Sequence, residues 1–571
     1  MTAADLNPAV LLILAGAVVA GAPRLVRQVF SLAAPLLGLM LLWATPLGTT
    51  QQVELFGFVL EPLRLDSLSF PFALVFLIAA FLNGIYALHQ DDRMQDSAAL
   101  VYAGAGLGAT LAGDLATLFI YWEITAVSSA FLIWAARSER AYRATMRYLV
   151  WQIGSGVLLL AGVVMHWRAT GSLAFEAMSL TGLAAWLIFI AFGIKCAFPF
   201  LHPWLQDAYP EATATGTVVL SAFTTKMAVY VFARAFAGES LLIPIGAVMT
   251  VFPVFFAVIE NDLRRVLAFS LNNQVGFMIV AVGIGTPLAL NGAVSHAFVH
   301  IIYKALLFMS MGAVLTRVGT CKASELGGLH KSMPLTTIFC IVGAISIAGF
   351  PLTSGFIAKT QTLGAAAEAG LFWAWIVMIF ASAGVMEHSG IKIPYFAFFA
   401  HDAGHRVKEA PFNMLLAMGL AAAACIGFGI FPDTLFSIMP YDEIKEPYTA
   451  ENVITKAQLL TFAVLAFALL VRTGLYVQEI PSTNLNIDWL YRVPGKWLGE
   501  RLTNAVAVAS EELGHLRQLV GREVIGQLYL VLGPQGLLAR TWSIGFAVLL
   551  ITVVLGLSLL FNLLWTPPEP M

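Results

Sequence analysis

The stretch Ala191–Lys226 reads AFGIKCAFPFLHPWLQDAYPEATATGTVVLSAFTTK. An apolar helix beginning near Leu180 carries Lys195 inside it and is interrupted by Phe198-Pro199-Phe200-Leu201-His202-Pro203. Two prolines four residues apart break a helix, because each removes a backbone donor and clashes with the preceding turn. A polar turn, Gln206 to Thr217, then leads into a second apolar helix with its own cation, Lys226. In lipid, carbonyls freed by such a break need partners, so broken helices persist only inside protein or beside a water-filled cavity. A lysine at mid-depth costs about 2.5–3.5 kcal/mol on insertion scales, and intramembrane ionisable groups mark ion or proton paths. The stretch predicts an ion route through a membrane.

The rest of the chain fits that setting. Of 571 residues, 59% are hydrophobic and 11% charged, with a mean hydropathy of +0.84. Soluble domains run at about 25% charged, so the composition defines a polytopic membrane protein. A net charge of −2 gives no sign of a nucleic-acid partner. The scattered cysteines Cys196, Cys321, Cys340 and Cys425 make neither a disulfide framework nor a metal or iron–sulfur motif. MTAADLNPAV lacks a basic leader, so the first hydrophobic run is expected to be a retained span.

Hydrophobic segments fall at about 8–22, 28–46, 66–88, 97–113, 115–135, 142–166, 180–205 (broken), 213–235, 241–259, 263–284, 288–316, 334–366 (broken), 370–400, 412–431, 456–477 and 541–565. These are 16 expected spans, each near the ~20 residues that a bilayer requires. Basic residues concentrate in alternate loops (Arg24 and Arg27; Arg93; Arg137, Arg140 and Arg143; Arg264 and Arg265; Arg317, Lys322 and Lys331; Arg406 and Lys408). The positive-inside rule makes that side cytoplasmic and puts the N-terminus outside, provided each broken segment counts as one span.

The second broken segment, GFPLTSGFIAKTQT from Gly349 to Thr362, resembles the first. Lys359 follows its break, and Lys392 comes 33 residues later in the next span, as Lys226 follows Lys195 by 31. The two copies lie five spans apart, an odd number, so their topologies are opposite. Inverted repeats with discontinuous helices at mid-membrane are the layout of ion-coupled transporters. The expected organisation is 1–96, three N-terminal helices; 97–235, a first five-helix repeat; 241–400, a second, inverted one; 412–477, two further helices; 478–540, a cytoplasmic amphipathic lateral helix; and 541–571, a final span. Within 495–530, Trp497, Leu498, Leu502, Val506, Val508, Leu513, Leu516, Val520 and Ile525 recur at helical spacing, as in a helix lying on a membrane surface and strapping a neighbouring subunit.

Candidate chemistry sits on few residues. Glu123, in LATLFIYWEITAVSSAFLIWA, needs a partner or a proton, and Lys195 is the expected partner. His296, His300 and Lys304, at intervals of four, stack on one helix face as a proton wire. No carboxylate or thiolate stands at ligand spacing beside the histidines, so no metal site and no cofactor are expected. Lys359 is a terminal donor or acceptor. Lys392, with Glu387 and His388, forms another polar cluster, though it lies near enough to a span end to snorkel. His202 and Asp207 are placed to order the first break; Asp114, Arg264 and Arg265 read as boundary anchors.

The WE pair of span 5, GIKCAFPFLHPWLQDAYPEA, NDLRRVLAFSLNNQVGFM, SHAFVHIIYKALLF and GFPLTSGFIAK together resemble the antiporter-like subunit family. That family comprises membrane subunits of respiratory complex I, of Mrp-type multisubunit sodium/proton antiporters and of membrane-bound hydrogenases. The resemblance spans about residues 60–430. It implies an all-α fold of 14 core transmembrane helices with two inverted five-helix repeats. It also implies roles: Glu123 as switch glutamate, Lys195 and Lys359 as broken-helix lysines, Lys226 as next-span lysine, and His296, His300 and Lys304 as central relay. A lysine rather than glutamate at the second break, and KIPYFAFFAHD from Lys392 to Asp402, lean toward the Mrp D type. The C-terminal extension is longer than that type ordinarily carries and is similar to the lateral helix of the distal complex I subunit. The implied function is proton translocation within a multisubunit monovalent-cation/proton antiporter in a prokaryotic plasma membrane. Its partners would be other membrane subunits, protons, Na+ and the lipid bilayer. A proton-pumping subunit of a complex I-like or hydrogenase assembly, and a subunit of an inorganic-carbon pump, are the alternatives.

Overall fold

The computed structural model describes residues 6–476, 479–480, 484–536, 539 and 542–564. The extreme N-terminus, parts of the linkers near 477–483 and 537–541, and the tail from 565 lie outside the described residues. All 16 hydrophobic segments read from the sequence are helical. By length and composition, 12 helices among the described residues suffice to cross a membrane; Pro8–Gly21, Gly182–Cys196 and Pro334–Ala348 are shorter apolar helices.

The chain opens with α1 (Pro8–Gly21) and α2 (Arg24–Ala44), followed by a hairpin, β1 (Thr50–Leu55) and β2 (Phe58–Arg64). The hairpin is unanticipated. Its two-residue turn has positive φ at both Phe56 and Gly57, the geometry that matches strand twist. It braces the turn at 113–114: Gly113 N donates to Glu61 O, and Glu61 N donates to the Asp114 carboxylate. Next come α3 (Ser69–Ala87), α4 (Arg93–Leu111), α5 (Leu115–Trp134) and α6 (Glu139–Thr170). The first broken span is α7 (Gly182–Cys196) with α8 (Pro203–Ala208). The following span, expected to be continuous, is also interrupted, as α9 (Ala214–Ala222) and α10 (Thr224–Ala235) with Phe223 between.

The second set runs α11 (Leu242–Ile259), α12 (Leu263–Ile284), α13 (Pro287–Val318), α14 (Pro334–Ala348) and α15 (Ser354–Glu368). Helix α16 (Phe372–Val385) continues through a π-helical turn (Met386–Ile391), α17 (Lys392–Pro394) and a second π-helical turn (Tyr395–Phe399). Then follow α18 (Phe412–Ile430), the short α19 (Asp433–Phe436) and α20 (Ala450–Arg472). Helices α12 and α13 are buried along most of their length and form the centre of the core.

Backbone detail exposes the repeat more sharply than the lysines do. Asp114 caps α5 and Asp262 caps α12, and both form isolated bridges, Asp114 with Ala174 and Asp262 with Lys322. Leu115 N donates to Leu173 O as Leu263 N does to Cys321 O. Helices α6 and α13 each have 32 residues and end on a left-handed glycine, Gly171 and Gly319. Helices α7 and α14 each have 15 residues and end on a left-handed residue, Ala197 (φ 61°) and Gly349 (φ 76°). Three residues further on, Phe200 and Leu352 are again left-handed, each with φ 68°.

A separate unit, Ile487–Met571, contains α21 (Asp488–Leu490), α22 (Lys496–Leu532) and α23 (Ile544–Leu564). The 37 residues of α22 give a rod of about 55 Å at ~1.5 Å per residue. The apolar residues read from the sequence at helical spacing lie on this helix.

Candidate functional site

At the first break the chain re-satisfies its own carbonyls. Ala197 N donates to Ile194 O and Phe198 N to Gly193 O, and the Trp204 indole donates to Ile194 O at 2.9 Å. Lys195, in the last turn of α7, is fully buried. Its ammonium donates to Trp122 O and to the Thr125 hydroxyl, each at 2.6 Å, and stands 4.5 Å from the Trp122 ring centroid. Two strong acceptors and an aromatic face hold the charge.

Glu123 sits beside this arrangement without a direct ion pair to Lys195, which corrects the expected contact. Its side chain instead lies against Gly156 of α6, and among the described residues its Oε1 finds no hydrogen-bond partner. A cavity of about 710 Å³, walled by Arg93, Ser97, Val101, Val127 and Phe131, borders the carboxylate. The Trp122 carbonyl and the Thr125 hydroxyl, one and two residues from Glu123 on α5, take the ammonium's hydrogen bonds.

Lys226 occupies the first turn of α10, just past the Phe223 interruption, and its ammonium donates to Ser221 O at 2.6 Å. The break frees that carbonyl, and the lysine takes it. On α13, His296, His300 and Lys304 are all fully buried. His296 Nε2 meets Gln274 Oε1 at 3.2 Å and the Tyr303 hydroxyl at 3.1 Å. The His296 and His300 rings are 6.3 Å apart, and His300 is edge-on to Tyr303 at 5.2 Å. Neither His300 nitrogen nor the Lys304 ammonium has a hydrogen-bond partner among the described residues.

The second break repeats the solution of the first. Gly349 N donates to Ser346 O and Phe350 N to Ile345 O, while Lys359, on α15, donates to Ile347 O at 2.7 Å. Lys392 does not snorkel. It is fully buried, and its ammonium donates to three carbonyls at the end of α11: Val258 (2.5 Å), Glu260 (2.8 Å) and Ala257 (3.2 Å). It also pairs with Glu479 at 2.8 Å. Next to it, His388 Nδ1 meets the Ser389 hydroxyl, which donates to Ser270 on α12, each at 2.8 Å.

Lys456 escaped the sequence reading because the last core span appeared to begin there. The helix starts at Ala450, so Lys456 lies nearly two turns inside, buried, donating to the Ser382 hydroxyl at 2.7 Å. Its stem and that of Lys359 both pack over Gly349. A cavity of about 420 Å³ between α15, α16 and α20 is lined by Lys359, Lys445, Glu451 and Lys456. The arginine read as a boundary anchor does more: Arg264 donates to Pro210 O (2.7 Å) and Ala212 O (2.6 Å), lacing the second repeat to the polar turn of the first. Asp207 is gripped by Arg147 through two contacts, at 2.6 and 3.0 Å. Among the described residues no group of histidine, cysteine or acidic side chains could hold a metal ion.

Two sets of discontinuous helices, each carrying buried lysines within a core of apolar spans, define a multi-pass membrane protein of the ion-translocating type. Residues 112–385 match the family described as NADH:quinone oxidoreductase/Mrp antiporter, transmembrane. NADH-quinone oxidoreductase subunit N of Desulforudis audaxviator is 31% identical over 364 residues, covering 60% of this chain and 71% of that protein. The chain belongs to this family. The D subunit of the Na(+)/H(+) antiporter of Alkalihalophilus pseudofirmus is 29% identical, covering 60% of this chain and 73% of its own length. Hydrogenase-4 component B of Escherichia coli is also 29% identical, over 65% of this chain but only 62% of its own length. The fold matches a chain of the Mrp complex from Dietzia sp. DQ12-45-1b with a TM-score of 0.69 at 23% identity, over 82% of this chain and 99% of that one. A chain of an archaeal membrane-bound sulfane sulfur reductase matches with the same score and identity over 96% of this chain and 99% of that one.

Proposed function

We propose that the chain is the proton-translocating subunit of a multisubunit monovalent-cation/proton antiporter, of the Mrp D type, in a prokaryotic plasma membrane. The observation that supports the reading is the burial of Lys195, Lys226, His300, Lys304 and Lys359 on the two broken helices and on α10 and α13. We read them as a row, in which the His300 nitrogens and the Lys304 ammonium have no hydrogen-bond partner among the described residues. Protons hop along that row. Glu123 gates them: a proton or a movement that weakens its hold on Lys195 lets the ammonium release its proton to Lys226. Na+ is the expected counter-ion, by likeness to the sodium/proton antiporter relative.

A redox-driven reading uses the same row with electron carriers in partner subunits, and likeness to NADH-quinone oxidoreductase subunit N supports it. Affinity purification from native membranes in mild detergent separates the two. Small membrane subunits without redox proteins support the antiporter. Flavin, iron–sulfur or nickel subunits would make this the pumping arm of a redox enzyme, and the sodium claim would fall.

A further inference from the structure

In the first repeat a carboxylate is built in: Glu123 lies nine residues after the Asp114 cap of α5. Nine residues after the Asp262 cap of α12 stands Leu271, followed by the amides Asn272, Asn273 and Gln274. The second repeat therefore has no acid at the matching place. Its next-span lysine nevertheless faces one. Glu479, beyond the end of α20 and outside both repeats, has a side chain only 6% exposed and pairs with Lys392 at 2.8 Å.

The contact is part of a built insertion. Tyr476 donates its hydroxyl to Glu387 at 2.7 Å, in the π-helical turn that precedes Lys392, and stacks on Phe396. Asn484 donates to Ile259 O and to the Glu260 carboxylate, both at 3.3 Å. Glu479 and Asn484 thus meet the end of α11, where the helix presents its negative pole to the Lys392 ammonium, while Tyr476 holds the π-helical turns beside it. The π-helical turns on either side of Lys392 are irregularities typical of functional positions. The charged and titratable groups around the pair are Glu260, with Arg265 3.9 Å from its carboxylate, Glu387 with the Tyr476 hydroxyl, and His388.

We infer that Glu479 is the gating carboxylate of the second half, supplied from outside the repeat. The inference rests on the transport reading above. A proton arriving on the Glu479 carboxylate cancels its charge and leaves the buried Lys392 ammonium with carbonyl acceptors only, without a counter-charge in contact. Lys392 then gives its proton to His388, one helical turn before it, whose Nδ1 meets the Ser389 hydroxyl that donates to Ser270 on α12. Deprotonation of Glu479 accompanies the return of a proton to Lys392 and resets the pair.

The test is proton flux under an imposed pH gradient in inverted vesicles containing the intact complex, a readout independent of the coupling ion. Glu479→Gln is expected to lower flux about tenfold with unchanged complex content, and Glu479→Asp to restore at least about a third of it. Flux through E479Q equal to wild type would overturn the assignment. So would losses in both variants that only follow the amount of assembled complex. Sodium dependence is scored separately: wild-type flux without sodium coupling counts against the antiporter reading, while the glutamine-to-aspartate comparison still decides Glu479.

Discussion

Gly156 lies where the Glu123 carboxylate rests: a Cβ on Gly156 would overlap Glu123 Oε1. Helix α6 thereby leaves room for the acid, and the acid cannot keep its place if that room is filled. Gly156→Ala should therefore lower sodium-driven proton movement to the level of Glu123→Ala, with the complex still assembled. Transport assays on the two variants side by side check this, and wild-type activity in G156A would separate Glu123's position from its role.

Lys195 holds two acceptors at 2.6 Å and an aromatic face. Lys195→Ala should reduce coupled transport about tenfold or more, a barrier change of roughly 1.4 kcal/mol or greater. Lys195→Arg should not rescue it, because a guanidinium stays protonated and cannot pass its proton on. Rescue by arginine would mean that only the positive charge matters.

The two breaks use the same left-handed turn with different residues, alanine at 197 and glycine at 349. A non-glycine residue in that region costs about 1–2 kcal/mol. Ala197→Gly should raise the thermal midpoint of the purified complex or leave it unchanged. Gly349→Ala should lower it and also disturb transport, because its Cβ would press on the stems of Lys359 and Lys456 at 3.2 Å. Thermal unfolding and flux measured on both variants make the comparison.

Lys456 shares Gly349 and a 420 Å³ cavity with Lys359. Lys456→Met, which keeps the stem and removes the ammonium, should slow proton flux while preserving assembly. An unchanged rate would confine Lys456 to packing and to its bond with Ser382.

Much of this architecture is legible in the chain. Pro199 and Pro203 mark the first break, Pro351 with its glycines marks the second, and the lysine spacing of 31 and 33 residues reveals the repeat. Less visible are the features set by tertiary contact. The interruption at Phe223 contains no proline or glycine; its backbone departs from the helix between α9 and α10, and Lys226 takes the carbonyl of Ser221. Lys392 resembles a snorkelling residue in sequence because its counter-charge, Glu479, is 87 positions away in a segment that reads as linker. Glu123 and Lys195 are expected to touch, but the carbonyl of Trp122 and the hydroxyl of Thr125 take the ammonium first. The hairpin at 50–64 is hidden between two strong hydrophobic runs.

Proton transfer through the buried lysines is tested by sodium-driven proton movement in inverted membrane vesicles carrying the complete complex, with wild type compared against Lys304→Ala. Lys304 is fully buried, and among the described residues no protein group bonds its ammonium, so its loss interrupts the row rather than the fold. Sodium-dependent collapse of the pH gradient is expected in wild type, and its loss in K304A at equal complex content. Wild-type exchange in K304A would contradict the proton row.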